Sequence, residues 1–231
     1  MKQSFFKKLA NCRENNSFSN NLRRKRMKIF ETYFPIVLSD SKIEILDVGG
    51  TWNYWKQMGY DGRDNIIITL LNLNIQKTYS GNINSVEGDA CDLSRFKDKS
   101  FDIVFSNSVI EHVGNFQMQD KMAKEVMRVG KAFYIQTPNY WFPFEPHTLT
   151  IGYQYLPICV RTILIQNFNL EWTGKFKEKE KAKEAANNVH LLSKRDLKKL
   201  FPNAIVLKEY FIFLVKSFIL ILTSVVNEEN K

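Results

Sequence analysis

The stretch that most constrains this chain runs from Ile43 to Thr51, where an apolar run ends in an acid and two glycines. Its β-branched residues predict a buried strand, and the aromatic stretch after it, Trp52 to Met58, predicts a helix. Glycine permits a tight turn and lets a ligand approach the backbone closely, while a helix N-terminus offers unpaired N–H groups. This order is typical of a nucleotide-type cofactor site, although a Gly-Gly pair also ends strands for structural reasons alone.

Further apolar runs alternate with helical patterns along the chain. A helix is predicted from Val109 to Val129, interrupted near Gly114, and this alternation indicates an α/β fold with a doubly wound, mostly parallel sheet. The last two runs lie too close together for a helical crossover, so they predict a C-terminal antiparallel hairpin. The predicted strands after the first are Asn65–Leu71, Ile83–Glu87, Phe101–Phe105, Lys131–Thr137, Ala204–Glu209 and Ser217–Thr223.

The chain divides into an extension and one large domain by its patterns. Residues 1–40 predict an N-terminal helical extension, amphipathic and basic from Leu22 to Phe34, where Pro35 stops the helix. Residues 41–231 are expected to form the main domain, with an insertion at about 140–190 that is first aromatic and then charged. The apolar run Phe211 to Val226 is shorter than the roughly 20 residues of a membrane-spanning helix and is interpreted as buried strand.

Composition narrows the class of protein. A hydrophobic content of 44% and a charged content of 25% are those of a globular protein rather than a disordered or fibrous one. The net charge of +9 comes partly from basic clusters at Leu22–Arg26 and Lys175–Lys183, which could attract nucleic acid, an anionic membrane or an acidic glycan, or simply be solvated helix faces. The three cysteines share no metal-ligand spacing, and no secretory signal is apparent, so we expect a cytoplasmic protein.

Four stretches together resemble the class I S-adenosylmethionine-dependent methyltransferases, in particular the small bacterial type called methyltransferase domain 11. The resemblance covers about Lys42 to Asn139 and implies a seven-stranded Rossmann-like methyltransferase sheet, with S-adenosylmethionine as the methyl donor. The stretches that carry it are Ile45–Thr51, Gly88–Leu93, Phe101–Val113 and Gln136–Asn139.

The resemblance also implies a set of cofactor-binding residues. The turn of Asp47, Gly49, Gly50 and Thr51 would lie beside the amino acid part of the donor. Asp89 and the Ala90 backbone would meet the adenine, and Ser106 and Asn107 would lie beneath the methionine portion.

Two departures from the family pattern concern that site. The usual Gly-x-Gly-x-Gly is Gly49-Gly50-Thr51-Trp52-Asn53 here, so only the first glycine is kept. The acid that commonly follows the second strand is absent, which leaves Asn72 or Asn74 to bind the ribose hydroxyls. An amide binds a hydroxyl without the charge assistance of a carboxylate, so we expect weaker affinity for the donor.

Two histidines are candidate general bases. His112 follows the fourth strand beside Glu111, and its ordinary pKa suits proton abstraction; the alternative is a histidine that merely holds a helix start. His147 lies in a proline-braced aromatic loop, either as a polar anchor for the acceptor or as part of a structural cover. Some relatives bind a metal through Glu-x-x-Glu-His, but Ser108 occupies the first of those positions, so no metal is expected.

The leading functional hypothesis is methyl transfer to a hydroxyl of a small molecule or glycan intermediate. The basic surface leaves a nucleic-acid or protein acceptor open. Nucleic acid is disfavoured because the Asn/Asp-Pro-Pro-Tyr/Phe motif of amino-group methylation is missing after the fourth strand. One alternative is a weak or inactive methyltransferase-like binding protein, given the altered turn. Another is a peripheral membrane enzyme, docking through Leu22–Phe34 or Phe211–Val226. The oligomeric state does not follow from the sequence.

Overall fold

A computed structural model of the chain describes residues 18–145, 148, 150–170, 176 and 178–223. Within these ranges a seven-stranded sheet forms the centre of the molecule. All of the predicted strands are present within two residues of their expected bounds, except that the last begins three residues early, and a small two-stranded pair is added in the insertion. The strands are β1 Ile43–Val48, β2 Ile66–Asn72, β3 Ile83–Glu87, β4 Phe101–Asn107, β5 Gly130–Pro138, β6 Phe144–Glu145, β7 Thr150–Ile151, β8 Ile205–Phe211 and β9 Leu214–Leu222.

The sheet has the order β3-β2-β1-β4-β5-β9-β8. Strands β1 to β5 run parallel, whereas β9 is antiparallel to both β5 and β8. This confirms the doubly wound α/β fold and its C-terminal hairpin. The strand order reverses between β1 and β4, which is where ligands bind in open α/β sheets, at the carboxyl ends of the strands.

Helices cover both faces of the sheet. The predicted interruption near Gly114 is confirmed, because a short 3-10 turn at Ile110–His112 precedes the long helix that follows β4. The helix predicted from Leu22 begins earlier, at Phe18, and ends at Tyr33 before the proline. The helices are α1 Phe18–Tyr33, α2 Trp52–Gln57, α3 Phe116–Val129, α4 Ile158–Asn167, α5 Lys179–Asn187 and α6 Lys194–Leu200.

Two apolar cores lie on opposite faces of the sheet. On one face, Met122, Val126 and Val129 of α3 are buried at helical spacing. On the other, Phe30 of α1 is fully buried and makes edge contacts with Trp55, Phe105 and Tyr134. Helix α1 is therefore an integral part of the second core, where it covers β1, β4 and β5.

The insertion between β5 and β8 forms a small unit of its own. It contains β6, β7, α4 and α5, and α4 packs on α5 around Tyr153, Ile165 and the alanines of α5. The division into residues 1–40 and 41–231, with an insertion at about 140–190, stays a prediction. Within the described part of the chain, no helix is long and apolar enough to cross a membrane.

The stretch Phe211–Val226 is only partly the buried strand that the sequence indicates. Strand β9 is buried from Ser217 to Ile221, but the hairpin turns at Ile212 and Phe213, which leaves the side chains of residues 210–214 exposed. Residues 224–226 lie outside the described ranges. The interpretation of the whole run as buried is therefore wrong for its first residues, because they form the tip rather than the body of the hairpin.

Candidate active site

The turn after β1 uses both of its glycines. Gly49 has a φ of +78°, a left-handed conformation that favours glycine, and its N–H donates to the Leu71 carbonyl at 2.8 Å. A β-carbon on Gly49 would overlap the Val109 side chain, and one on Gly50 would overlap the carboxylate of Asp47. The space beside the turn is thus filled by the protein's own side chains, which fix its backbone.

Asp47 is the buried acid of the turn. Its carboxylate is 1% exposed and accepts a 2.6 Å hydrogen bond from Trp55 Nε1 on α2. Burial raises the pKa of Asp47 to about 7, against the opposing effect of the Trp55 hydrogen bond. Such a carboxyl group titrates near neutral pH, and a cationic partner would stabilise its ionised form.

The other residues of the turn region hold its shape. Thr51 is the N-cap of α2, where its hydroxyl accepts from the Tyr54 N–H at 3.3 Å. Asn72, at the end of β2, donates through Nδ2 to the Gly50 carbonyl at 3.0 Å, whereas Asn74 is exposed and makes no side-chain contact with the turn. Of the two asparagines proposed for the ribose, only Asn72 is joined to the glycine turn.

The predicted adenine residues lie one strand further out, at the end of β3. Asp89 is exposed and its Oδ1 accepts from the Cys91 N–H at 2.8 Å, an Asx turn that orders the loop. Ala90 is buried in the core beneath it. The N–H of Gly88 donates to the Asn72 carbonyl at 2.9 Å, which ties this loop to the end of β2.

The end of β4 supplies the opposite wall. Ser106 is fully buried and donates to the Val48 carbonyl at 3.1 Å, so it links β4 to β1. Asn107 faces α1, where its Oδ1 accepts from Arg26 at 3.2 Å. Ser108 then turns the chain with a φ of +59°, and its hydroxyl donates to Gln136 at 2.7 Å.

An ion pair that the sequence did not indicate joins α1 to β8 at this edge of the sheet. Arg26 Nε donates to both carboxylate oxygens of Glu209 on β8, at 2.9 and 3.0 Å, and Ser217 hydrogen-bonds the same carboxylate. Burial acts to raise the pKa of Glu209, but Arg26, together with Lys216 and Ser217, holds that pKa below its usual value. Burial and the charge of Arg26 lower the pKa of Lys216 to about 8. In the sequence, Arg26 is indistinguishable from its basic neighbours.

A buried hydroxyl at this edge supports binding of the implied donor. Tyr54 Oη is buried without a hydrogen-bond partner among the described residues. Burial, and then the Asp47 carboxylate, raise the pKa of Tyr54, so the phenol stays a hydrogen-bond donor. A donor hydroxyl beside an acid suits the carboxylate and ammonium of an amino acid moiety. The residues present therefore fit the amino acid end of S-adenosylmethionine.

The candidate catalytic residues follow β4 in the 3-10 turn. Glu111 is fully buried, and its Oε2 accepts from Thr137 Oγ1 of β5 at 2.9 Å. His112 is exposed at the same sheet edge. The His190 N–H donates to the Glu111 carbonyl at 2.7 Å, which brings a third histidine to the turn. His147 lies outside the described residues. Among the described residues, no cluster of His, Cys, Asp or Glu could hold a metal ion.

Comparison with known proteins agrees with the fold. Residues 54–132 match the family model described as a methyltransferase domain. An uncharacterized protein of Mycobacterium tuberculosis strain H37Rv is 38% identical over 50 residues, which are 22% of this chain and 17% of that protein. The chain thus matches only a small part of the length of this curated relative.

Solved structures share the fold over most of the chain. A magnesium protoporphyrin IX methyltransferase of Synechocystis PCC 6803 with bound S-adenosylhomocysteine has a TM-score of 0.55 at 10% identity, over 96% of this chain and 88% of that one. An S-adenosylmethionine-dependent methyltransferase of Archaeoglobus fulgidus has a TM-score of 0.52 at 14% identity, over 87% and 92%. One of Methanosarcina mazei has a TM-score of 0.50 at 16% identity, over 84% and 95%.

The sheet order and the matched domain agree with one another. At these identities the solved structures show the fold, and the family model adds the type of domain. The chain therefore has the fold of the class I S-adenosylmethionine-dependent methyltransferases, and residues 54–132 match a methyltransferase domain.

Proposed function

We propose that the protein is an S-adenosylmethionine-dependent methyltransferase whose acceptor is a hydroxyl of a small molecule or glycan intermediate. The observation that carries the proposal is the turn at Gly49 and Gly50, with buried Asp47 and the Tyr54 hydroxyl beside it, which has no hydrogen-bond partner among the described residues. This turn lies where the strand order reverses, at the carboxyl ends of β1 and β4. Asn72 and Ser106 support it from the neighbouring strands.

Catalysis in such a site is largely positioning. Bound S-adenosylmethionine supplies an already activated methyl carbon, so the chain must hold the acceptor in line with it and exclude water. Asp47 and Tyr54 would orient the amino acid end, and Thr51 and Asn72 would keep the turn rigid. Asp89 and Ala90 would meet the adenine, and Asn107 would lie beneath the methionine portion.

A hydroxyl acceptor also requires removal of a proton. His112 is the proposed base because it is exposed at the sheet edge directly after β4. Glu111 is a positioning residue in this proposal, since its carboxylate is engaged by Thr137 and its carbonyl by the His190 backbone. His147 stays a second candidate on sequence grounds alone.

Binding of the donor can be tested before the acceptor is known. We expect saturable heat in isothermal titration calorimetry with S-adenosylmethionine, and a higher melting temperature with it. No response at millimolar donor would overturn the proposal. A screen of acceptors by release of S-adenosylhomocysteine then separates the active enzyme from the binding protein: donor binding with slow uncoupled turnover favours the enzyme, and binding without turnover favours the alternative.

We also propose that the β8–β9 hairpin tip docks on an anionic membrane surface. Ile212 is 73% exposed and Phe213 is 90% exposed, and both lie among further apolar side chains at residues 210–214. Contiguous exposed apolar side chains mark interaction sites. The Arg26–Glu209 ion pair joins the hairpin to α1, which also carries the exposed Arg24 and Lys25. Apolar side chains with basic neighbours suit a bilayer that carries anionic lipids.

Vesicle flotation tests the membrane contact. We expect the protein to float with phosphatidylcholine vesicles that contain phosphatidylserine. With vesicles of phosphatidylcholine alone, it should stay at the bottom of the gradient. Phe213→Asp should abolish flotation, whereas the control Ile151→Asp, at a residue 77% exposed on β7, should retain it. The proposal is wrong if the parent does not float or if Phe213→Asp floats equally. It is also wrong if sedimentation shows that the parent is a dimer and that Phe213→Asp makes it dissociate.

A further inference from the structure

A cavity of about 180 Å³ lies among the elements of the insertion and the segment that directly follows α5. It is smaller than the roughly 300–1,000 Å³ of pockets for drug-sized ligands, so it suits a small molecule or one residue of a larger one. Its walls combine an apolar side with several polar side chains. The lining includes Tyr140, Gln154, Arg161, Ala186, Val189 and His190.

Arg161 supplies the positive charge of this cavity. It is the one charged residue of α4, whose sequence is otherwise apolar or neutral. Among the described residues, its buried Nε has no hydrogen-bond partner and no carboxylate pairs with its guanidinium, which lies 5.9 Å from the centre of the Tyr153 ring. A buried donor without a partner costs free energy that a bound acceptor would recover. Because guanidinium matches carboxylate and phosphate geometry, the natural partner is an anion.

Gln154 supplies an acceptor in the same cavity. Its Nε2 donates to the Phe142 carbonyl at 2.6 Å and to the Tyr140 carbonyl at 3.3 Å, which fixes the orientation of the amide. Its Oε1 is buried and has no donor among the described residues. A ligand that satisfies both side chains therefore carries an anionic group and, near it, a hydroxyl or amide N–H.

The cavity wall is joined to the proposed reaction site. The His190 N–H bonds to the Glu111 carbonyl, and the Tyr140 N–H bonds to the Leu192 carbonyl at 3.1 Å, so both wall residues are fixed to the ends of β4 and β5. Gln119 Nε2 bridges the Ile110 and His190 carbonyls at 3.1 and 2.8 Å. This connection relates the cavity to the acceptor rather than to an independent ligand.

We propose that Arg161 and Gln154 bind an anionic group and a neighbouring hydroxyl of the methyl acceptor, a carboxylated or phosphorylated small molecule or sugar. The identification of the ligand as the methyl acceptor rests on the proposed function, whereas binding of an anion at this site does not require methyl transfer. It predicts binding of simple anionic sugars in the absence of any methyl donor.

The test compares glucuronate, glucose 6-phosphate and glucose by saturation-transfer NMR and calorimetry at low salt. We expect one or both anionic sugars to bind the parent at least about tenfold more tightly than glucose, since hydrogen bonds to charged groups contribute more than neutral ones. The relative affinities of the two probes show whether carboxylate or phosphate is preferred. Arg161→Gln should remove the preference, and Arg161→Lys should keep part of it. The matched control, Arg195→Gln, removes an exposed charge on α6 and should change nothing.

Each contrary result has a definite meaning. Equal binding of glucose and both anionic sugars to the parent overturns the inference, whether or not the variants fold. Equal loss in Arg195→Gln and Arg161→Gln also overturns it, because the effect would then reflect net charge. Failure to bind S-adenosylmethionine would instead overturn the proposed function and leave the anion site standing.

Discussion

The carboxylate of Asp47 lies against the Cα of Gly50, in the space that any side chain at residue 50 would need. Trp55 Nε1 holds the carboxylate in this position from one side, and the Asn72 amide holds the Gly50 carbonyl from another. The acid and the second glycine of the turn are therefore one unit. This explains why Gly50 is required here even though its φ is not left-handed.

A methyl group at residue 50 should break this unit. We expect Gly50→Ala to displace the Asp47 carboxylate from Trp55, to lower the free energy of unfolding by about 1–3 kcal/mol and to abolish donor binding. Gly81→Ala is the control, because a β-carbon there has open space and its φ is ordinary. Thermal unfolding and calorimetry measure both effects. Normal donor binding by Gly50→Ala would refute the role given to this turn.

The raised pKa of Asp47 predicts how stability depends on pH. From about pH 4 to about pH 7 the folded protein keeps a proton that the unfolded chain has released, so this residue makes stability fall as the pH rises through that window. Above about pH 7 its effect is level. The difference in unfolding free energy between Asp47→Asn and the parent should therefore grow, in favour of the variant, from pH 5 to pH 8. Urea unfolding across this range measures it, and a constant difference would contradict the assignment.

Donor binding should show the opposite slope. If the Asp47 carboxylate meets the ammonium of S-adenosylmethionine, affinity rises as the pH rises through about 7, because the ligand favours the ionised acid. An α-amino group ordinarily loses its proton at about pH 7.7–8.0, so affinity should fall again above that. Calorimetry in two buffers of different ionisation enthalpy should detect the proton released. Asp47→Asn should bind weakly and without the rise below pH 7.

The choice between Asn72 and Asn74 can also be decided. Asn72→Ala removes the hydrogen bond to the Gly50 carbonyl and should weaken donor binding by about fivefold, which corresponds to roughly 1 kcal/mol. Asn74→Ala removes an exposed side chain from the same loop and should have no effect. Calorimetric titration of both variants is sufficient. If Asn72→Ala binds the donor as tightly as the parent and Asn74→Ala do, neither the turn contact nor the ribose role depends on Asn72.

The fold was predictable because its strands are short apolar runs with little competing periodicity. The hairpin followed from the distance between Glu209 and Ser217 alone, since no crossover helix fits there. The exposure of Phe213 did not follow, because an apolar run does not reveal where a hairpin turns.

The sequence predicts only those site residues that are neighbours along the chain. Asp47 and its glycines are adjacent in sequence, whereas Arg26 meets Glu209 across 183 positions, and only the sheet order brings them together. Arg161 was missed because the insertion carries no regular pattern. The available signal was a single cation within the apolar stretch Ile158–Asn167.

Removal of one partner of the Arg26–Glu209 pair should cost more stability than it does at most ion pairs, because both side chains are only 12% exposed and the remaining charge would stay buried. Arg26→Gln leaves the Glu209 carboxylate buried beside Ser217 without its cation, so we expect a loss of about 3–5 kcal/mol. Glu209→Gln leaves Arg26 close to Lys216, whose pKa burial and Arg26 already lower to about 8, so it should also destabilise the fold.

The double variant separates attraction from repulsion in this pair. Arg26→Gln with Glu209→Gln removes both charges and should recover much of the loss, so the coupling free energy in the double-mutant cycle should exceed about 1 kcal/mol. Lys124→Gln with Asp120→Gln offers a matched cycle at an exposed pair on α3, where coupling should stay below about 0.5 kcal/mol. Urea unfolding of all variants gives both cycles. Additive effects at Arg26 and Glu209 would mean that α1 is held over the sheet by the packing of Phe30 alone, because the ion pair would then contribute no coupling of its own.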